Sequence, residues 1–141
     1  MLQQNTTKRI GYWFLHLHER FEEGTATALR DERLTRRQWQ ILHALAIGVD
    51  SVAALDAAFA PFLRVDGVAT YQPIVDELTG RGWATTEAGR TTLTPAGSAA
   101  HDRADVLVEA HAAHSLRGID EEEFALANAV LARISDNLDD A

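Results

Sequence analysis

The sequence is short of several residue types, and each shortage excludes a class of protein or site. Cysteine is absent from all 141 residues, which excludes disulfides, thiolate metal sites and thiol redox sensing. No apolar run approaches the ~18 residues that a membrane-spanning helix needs. The first residues, Met1–Asn5, lack the basic-then-apolar pattern of a signal peptide, so we expect a cytoplasmic protein.

Basic residues are also scarce, since 13 Lys and Arg stand against 21 Asp and Glu, for a net charge of −8. This balance argues against nucleic acid, because the phosphate backbone favours basic proteins. The acidity is uneven, however. The segment 34–100 contains five basic and six acidic residues, so most of the excess negative charge lies in the flanking segments.

The motifs of the common enzyme classes are missing as well. There is no glycine-rich phosphate loop, no nucleophile elbow and no cysteine nucleophile. The carboxylates occur in helix-cap or solvated contexts rather than as evident buried pairs. We therefore expect no enzymatic activity, no cofactor and no metal site.

The stretch 80–97 is the most informative part of the chain. Gly80 and Gly82 can end a helix, and two Thr-rich runs flank Ala88-Gly89, which predicts a hairpin with a two-residue turn. Thr94 followed by Pro95 predicts the start of the next helix. A small hairpin is not stable alone and must pack on helices. The pattern predicts a winged helix.

Apolar spacing predicts helices before the hairpin. A long helix is expected over 5–33, where Ile10, Trp13, Phe14, Leu17 and Phe21 form one stripe. Three further helices are expected before the hairpin. The first begins with a capping box formed by Thr35 and Gln38, and its buried residues are Trp39, Leu42, Leu45 and Ala46. The second is short, is capped by Ser51 and is stopped by Pro61. After a loop at 62–67, the third covers 68–79, or it begins nearer Tyr71 or Gln72 because of Pro73.

Two helices are expected after the hairpin. The first covers Pro95 to about Leu116, with Val106, Leu107 and Ala110 as its buried candidates. The second begins at a capping box formed by Asp120 and Glu123. Its apolar residues alternate at steps of three and four, as in a coiled coil; they are Phe124, Ala127, Leu131, Ile134 and Leu138.

The terminal helices carry more apolar surface than one small winged helix covers. We therefore expect a single domain over 1–141, with a DNA-binding lobe at 34–98 and dimerisation helices at 1–33 and 99–141. The fold class is mainly α with a small β-hairpin, a winged helix-turn-helix with N- and C-terminal dimerisation helices. The alternative is a monomer in which these helices fold back into one bundle.

Four motifs, in this order, resemble the MarR family of winged-helix transcription regulators. They cover the opening of the second helix, the end of the recognition helix, the exit from the wing and the start of the final helix, at 34–42, 75–83, 93–97 and 118–124. The resemblance extends over nearly the whole chain. It implies a homodimer that binds a pseudo-palindromic operator, usually as a repressor, and a small molecule bound between the dimer helices and the DNA-binding lobe.

Several residues are then candidates for DNA contact. Thr70, Tyr71 and Gln72 fall where a recognition helix would meet the major groove, although an exposed helix start would also suit them. Arg90 at the hairpin tip is placed to enter a minor groove. Arg64 is the main candidate for a phosphate contact, followed by Arg36 and Arg37. The wing is short, and residues 69–73 contain no basic side chain, in contrast to typical family members.

The resemblance also places the first two helices around the effector cleft. Trp13 and His16 on the first helix, with Trp39 and His43 on the second, are the ligand-binding candidates, and they suit an aromatic or lipophilic acid. The tryptophans could instead be ordinary core residues.

Two alternative functions remain open at this point. The acidic surface would suit a winged-helix module that binds a protein and has little affinity for DNA. His111 and His114 share a helix face, so a zinc-responsive regulator is the other alternative.

Overall fold

A computed structural model describes residues 8–141, and it consists of seven α-helices, a short 3₁₀ turn and one hairpin. None of the described helices is long and apolar enough to cross a membrane. The elements in chain order are α1 (Ile10–Ala28), the 3₁₀ turn (Arg30–Glu32), α2 (Arg36–Ala46), α3 (Val52–Ala58), α4 (Ala60–Asp66), α5 (Gln72–Gly80), β1 (Ala84–Glu87), β2 (Arg90–Leu93), α6 (Pro95–Ser115) and α7 (Glu121–Asp139).

The expected single helix over 5–33 is wrong at its C-terminal end. α1 stops at Ala28, and the chain reverses through the 3₁₀ turn to Arg33, which takes a left-handed conformation with φ 56°. Leu29 lies at the break and is fully buried, so the break is anchored in the core. Residues 5–7 of this prediction lie outside the described part of the chain.

The local capping signals are confirmed. Thr35 and Gln38 form both hydrogen bonds of a capping box at α2, and Asp120 and Glu123 do the same at α7. The Ser51 hydroxyl accepts from the backbone N of Ala54 and so caps α3. Each of these bonds satisfies a backbone donor that the first helical turn would otherwise leave free.

Between α3 and α5 one prediction needs correction, and the structure decides between two alternatives for another. The expected loop at 62–67 is largely α4, because Pro61 lies in the first turn, where a proline fits a helix, and Gly67 ends the helix in a left-handed conformation. α5 begins at Gln72 rather than at 68, so the later of the two predicted starts is confirmed. Pro73 then falls in the first turn of α5 and disrupts no hydrogen bond.

The hairpin forms as predicted. Its register pairs Ala84 with Leu93 and Glu87 with Arg90. Ala88 and Gly89 have φ values of 51° and 77°, so both turn residues are left-handed, as a type I′ turn requires.

The hairpin is attached to the helical body at two places. The backbone N of Thr91 donates to the Asp50 carbonyl, 2.8 Å away, and Thr91 is itself buried. At its base, Gly97 packs against the Trp83 backbone so closely that an added Cβ would lie 2.8 Å from the Trp83 carbonyl carbon. The wing is therefore held against the helices that precede and follow it.

The core gathers side chains from α2, α3, α5 and the 3₁₀ region. Its fully buried members include Leu29, Ile41, Leu42, Leu55 and Leu78. Three predicted core residues are not buried: Ala46 is exposed at the end of α2, and Val106, at 70% exposure, and Ala110 are exposed on α6. The chain divides into two compact units, one ending at Glu109 and the other comprising Ala110–Ala141.

Candidate nucleic-acid interface and ligand sites

The start of α5 is fixed by a carboxylate from α3. Thr70 Oγ1 donates to Asp56 Oδ2 at 2.7 Å, and the backbone N of Tyr71 donates to Asp56 Oδ1 at 2.8 Å. The backbone N of Gln72 in turn donates to the Thr70 hydroxyl at 3.1 Å. These three bonds set the direction in which α5 leaves the preceding turn.

The structure removes Tyr71 from the DNA-contact candidates, because this side chain is only 2% exposed. Its hydroxyl points inward and donates to Asp66 Oδ2 at 2.6 Å. Thr70 is half-buried and engaged with Asp56, which leaves Gln72 as the exposed member of the predicted triplet. The sequence placed these residues at the correct helix end but did not show which way each side chain points.

A polar network behind α5 connects it to α1 and α2. Arg37 on α2 donates from Nε to Asp66 Oδ2 at 2.7 Å and from Nη2 to Glu22 Oε1 at 3.0 Å, and it also bonds the Gln40 side chain. The Arg37 guanidinium lies 3.9 Å from the centre of the Phe62 ring, close enough for a cation–π interaction.

This network shifts the pKa values of its members. The hydrogen bond from Arg37 is the main reason that the pKa of Asp66 falls below its usual value, against the opposing effect of burial. The pKa of Tyr71 is raised, first by burial and then by its bond to Asp66. Near neutral pH, both shifts therefore keep Asp66 charged as the acceptor and Tyr71 neutral as the donor.

The network also accounts for two weaker phosphate candidates. Arg37 is buried, and Arg36 pairs with Glu22 at 3.0 Å with its side chain only 19% exposed. Both guanidinium groups are therefore already committed to carboxylates, and we withdraw both residues as phosphate contacts.

Two arginines remain available near the expected interface. Arg64 is exposed in the last turn of α4. The Arg90 side chain is 70% exposed beside the hairpin turn and pairs with Asp50 at 3.1 Å. An ion pair this exposed contributes little energy, so Arg90 can exchange Asp50 for another anion.

The exposed surface of α5 is acidic rather than basic. Asp76 and Glu77 are both exposed, and Gln72 Nε2 donates to Asp76 Oδ1 at 2.8 Å. The Gln72 amide must therefore release Asp76, or share it, before it can contact a base edge.

The four ligand-binding candidates form two separate groups. On α1, the Trp13 and His16 rings lie 6.4 Å apart with Tyr12 beside them, and Trp13 is 42% exposed. On α2, the Trp39 and His43 rings lie 5.2 Å apart. Among the ring contacts of residues 8–141, none joins the α1 group to the α2 group.

The α2 group includes a residue, His101, that was not among the candidates predicted from the sequence. His101 on α6 stacks on Trp39 with centroids 5.1 Å apart, and its Nε2 lies 3.0 Å from His43 Nδ1. Asp105 is one helical turn further along α6 and belongs to the same cluster. The four-residue spacing of His101 and Asp105 was the available signal, but nothing in the sequence linked it to α2.

No protein-family description and no curated protein matches this chain. Solved structures do match. A MarR family regulator from Silicibacter pomeroyi superimposes with a TM-score of 0.71 at 22% identity, over 90% of this chain and 88% of that one. A MarR family protein of Mycobacterium tuberculosis, in complex with DNA, superimposes with a TM-score of 0.65 at 20% identity, over 89% of this chain and 97% of that one.

A third solved structure is the transcriptional repressor CouR bound to p-coumaroyl-CoA. It gives a TM-score of 0.68 at 20% identity, over 96% of this chain and 98% of that one. Identities this low establish the fold alone. The chain has the winged-helix fold of MarR family regulators, as its motifs predicted, and the neighbours are transcription regulators rather than enzymes.

Proposed function

We propose that this chain is a cytoplasmic, ligand-responsive transcription regulator that binds a pseudo-palindromic DNA operator as a homodimer, most simply as a repressor. The main support is the arrangement of α5 and the wing: Asp56 fixes the N-terminal end of a short exposed helix, and a hairpin carrying Arg90 is docked on the same unit. A protein with this fold has a solved structure in complex with DNA. No enzymatic role is proposed.

The DNA contacts that we propose are few. Gln72 is the candidate for a base edge, since a Gln amide can bond adenine at two atoms. Arg64 is the candidate for a phosphate, and Arg90 is the candidate for the minor groove. Two arginines per chain give four charge contacts per dimer, which predicts a salt slope of roughly −4 at ~0.9 per contact.

Dimerisation is supported by apolar surface in both compact units. α1 exposes a group of aromatic and aliphatic residues that a soluble monomer would rarely leave uncovered, namely Tyr12, Trp13, Phe14, Leu15, Leu17 and Phe21. α7 separately exposes Phe124, Leu131 and Leu138 at the spacing of a helix–helix seam. A second copy of the chain is the partner that we propose for both surfaces.

The ligand response is proposed for the two aromatic–histidine groups. Trp13 and His16 offer an exposed aromatic surface with a polar ring nitrogen, which suits an aromatic or lipophilic acid. Trp39 and His43 form the second group. A ligand acts on DNA affinity only if it binds more tightly to one spacing of the two α5 helices than to another. Thermal-shift screening with phenolic acids, repeated on His16→Ala, tests the first group.

Fluorescence anisotropy with a labelled duplex from the DNA upstream of the gene tests the proposal, in titrations between 50 and 200 mM salt. Arg64→Ala and Arg90→Ala should each lower affinity and flatten the salt slope by about two, because each removes two contacts per dimer. Arg117→Ala, an exposed arginine after α6, is the charge-matched control. Equal loss in Arg117→Ala, or no complex at 50 mM salt, contradicts the proposal.

One observation favours a second function. The exposed acidic pair on α5, Asp76 and Glu77, would suit a basic protein surface better than a phosphate backbone. In that case the wild-type protein would form no specific complex with the upstream duplex at any salt concentration. Binding that resists nuclease treatment in pull-downs would then identify the protein partner.

A further inference from the structure

Three side chains from two helices converge on one small volume. His43 on α2, with His101 and Asp105 on α6, presents one ligand atom each, and these atoms all lie within 4.8 Å of one another. All three residues are half-buried. Among residues 8–141 it is the one such set of histidines and carboxylates.

We propose that His43, His101 and Asp105 bind a divalent first-row transition-metal ion, with zinc as the ion to test first. Two imidazole nitrogens and one carboxylate oxygen form a donor set that zinc accepts, and a water would complete four-coordination. A site of this kind differs from the expectation, drawn from the sequence, that the chain has no metal site. The ion would then be the ligand of the α2 group.

The distances suit an ion after a small adjustment. Nitrogens bound to zinc at 2.0–2.1 Å in a tetrahedron lie roughly 3.4 Å apart. His43 Nδ1 and His101 Nε2 are 3.0 Å apart, so the rings need to separate by a few tenths of an ångström. The Asp105 carboxylate oxygen lies within 4.8 Å of both nitrogens, and rotation about its side-chain bonds can bring it to bonding distance of the ion.

A second carboxylate sets the tautomer that metal binding requires. His101 Nδ1 lies 3.2 Å from Asp102 Oδ1, and because an ionised carboxylate only accepts hydrogen bonds, the tautomer that fits this contact has its proton on Nδ1. The lone pair of Nε2 therefore points toward His43 and the proposed ion. A carboxylate behind a ligating histidine is the usual outer-shell arrangement of zinc sites.

Trp39 limits the movement of both imidazoles. Its ring is buried and stacks on His101 at an interplanar angle of 15°. The centres of the Trp39 and His43 rings are 5.2 Å apart. The indole therefore closes one side of the site with apolar surface, while the exposed Asp102 leaves another side open to solvent. The apolar face restricts solvent access to the site from one side only, which leaves room for the water that would complete the coordination.

The ion would join α2 to the first half of α6. Binding by the protein alone requires no DNA, so this proposal can fail or succeed separately from the proposed function. Only its regulatory consequence, a change in operator affinity on metal binding, rests on that function.

The test uses the full chain, freed of metal with a chelator and dialysed. Titration calorimetry with Zn²⁺ should give one ion per chain, and Co²⁺ should give the intense visible absorption of a four-coordinate site. The Tm should rise in the presence of Zn²⁺, because an ion that binds only the folded state stabilises it. Failure to bind either ion overturns the proposal.

Variants identify the ligands. His43→Gln and His101→Gln should each abolish the Co²⁺ absorption, and Asp105→Asn should weaken it. Asp102→Asn should lower affinity by ~10–100-fold, the usual effect of losing an outer-shell partner. His114→Gln, an exposed histidine on the same helix, is the matched control and should bind as the wild type does. Loss of binding in His114→Gln instead would place the ion elsewhere and overturn the assignment.

If a His43 or His101 variant fails to fold, the wild type decides the question. Two-bond ¹H–¹⁵N spectra of the imidazoles should show that Zn²⁺ shifts His43 Nδ1 and His101 Nε2 and leaves the His114 nitrogens unchanged. Shifts confined to other histidines would show surface binding only and would overturn the proposal.

Discussion

The Tyr71 hydroxyl donates a 2.6 Å hydrogen bond to Asp66 Oδ2, the oxygen that also accepts from Arg37. Tyr71 immediately precedes α5, and Asp66 ends α4, so this bond closes the loop between the two helices from its buried side. Arg37 extends the connection to α2 and, through Glu22, to α1. The position of the proposed recognition helix is thereby tied to a helix with a large exposed apolar surface.

Tyr71→Phe should lower the free energy of unfolding by about 1–2 kcal/mol, because it leaves a charged acceptor without one of its donors. The aromatic ring and its packing remain. Urea unfolding measures the loss. Ser98→Ala, which removes an exposed hydroxyl of α6, should change stability by less than ~0.5 kcal/mol. An equal effect of the two substitutions would refute the role given to the buried bond.

Asp66 should make the protein less stable in acid. Its pKa is lowered in the folded state, chiefly by the hydrogen bond from Arg37, so the unfolded chain takes up this proton first as the pH falls. The contribution is complete well above the ordinary pKa of 3.8 and is lost as the pH falls through the lower folded value.

Urea midpoints measured between pH 6 and pH 3 test this linkage. The stability difference between wild type and Asp66→Asn should be largest near pH 6 and should shrink toward pH 3. Asp139→Asn, at the exposed end of α7, controls for the loss of one carboxylate. A difference independent of pH would contradict the account.

Gly97→Ala should destabilise the base of the wing by about 1–3 kcal/mol, because the new methyl group would overlap the Trp83 carbonyl and the backbone would have to move. Thermal unfolding and the near-ultraviolet spectrum of the tryptophans report the change. Gly80→Ala is the control: the space around Gly80 is open, so this substitution should be neutral or slightly stabilising.

Asp76→Asn should strengthen DNA binding. It removes a negative charge from the exposed surface of α5 and keeps the side-chain oxygen that accepts from Gln72. An exposed charge near a phosphate costs on the order of 1 kcal/mol or less, so the expected gain is roughly two- to five-fold at low salt. Asp136→Asn on α7 should leave affinity unchanged in the same anisotropy assay, and a weaker complex with Asp76→Asn would contradict the placement of Asp76 near the phosphate backbone.

The sequence predicted those parts of the fold that depend on neighbouring residues. The capping boxes at Thr35 and Asp120 and the turn at Ala88-Gly89 are confirmed, because each is decided within four residues. The sequence does not reveal α4, because a proline can either end a helix or occupy its first turn, and Pro61 does the latter.

The parts that depend on distant contacts could not be predicted in the same way. Tyr71 lies at an exposed-looking helix start, but Arg37 and Asp66 form an inward-facing polar pair that receives its hydroxyl. His43 and His101 are 58 residues apart and meet only through the packing of α2 against α6. Single-sequence patterns carry no information on such pairings.

Sedimentation velocity of the intact protein, alone and with the duplex from the DNA upstream of its gene, measures the proposed dimer and its DNA complex together. A homodimeric DNA-binding regulator should give a free particle of twice the 15.5 kDa chain mass and, at low salt, a complex containing two chains per duplex. A 15.5 kDa particle, or a dimer that leaves the duplex unbound at low salt, would contradict it.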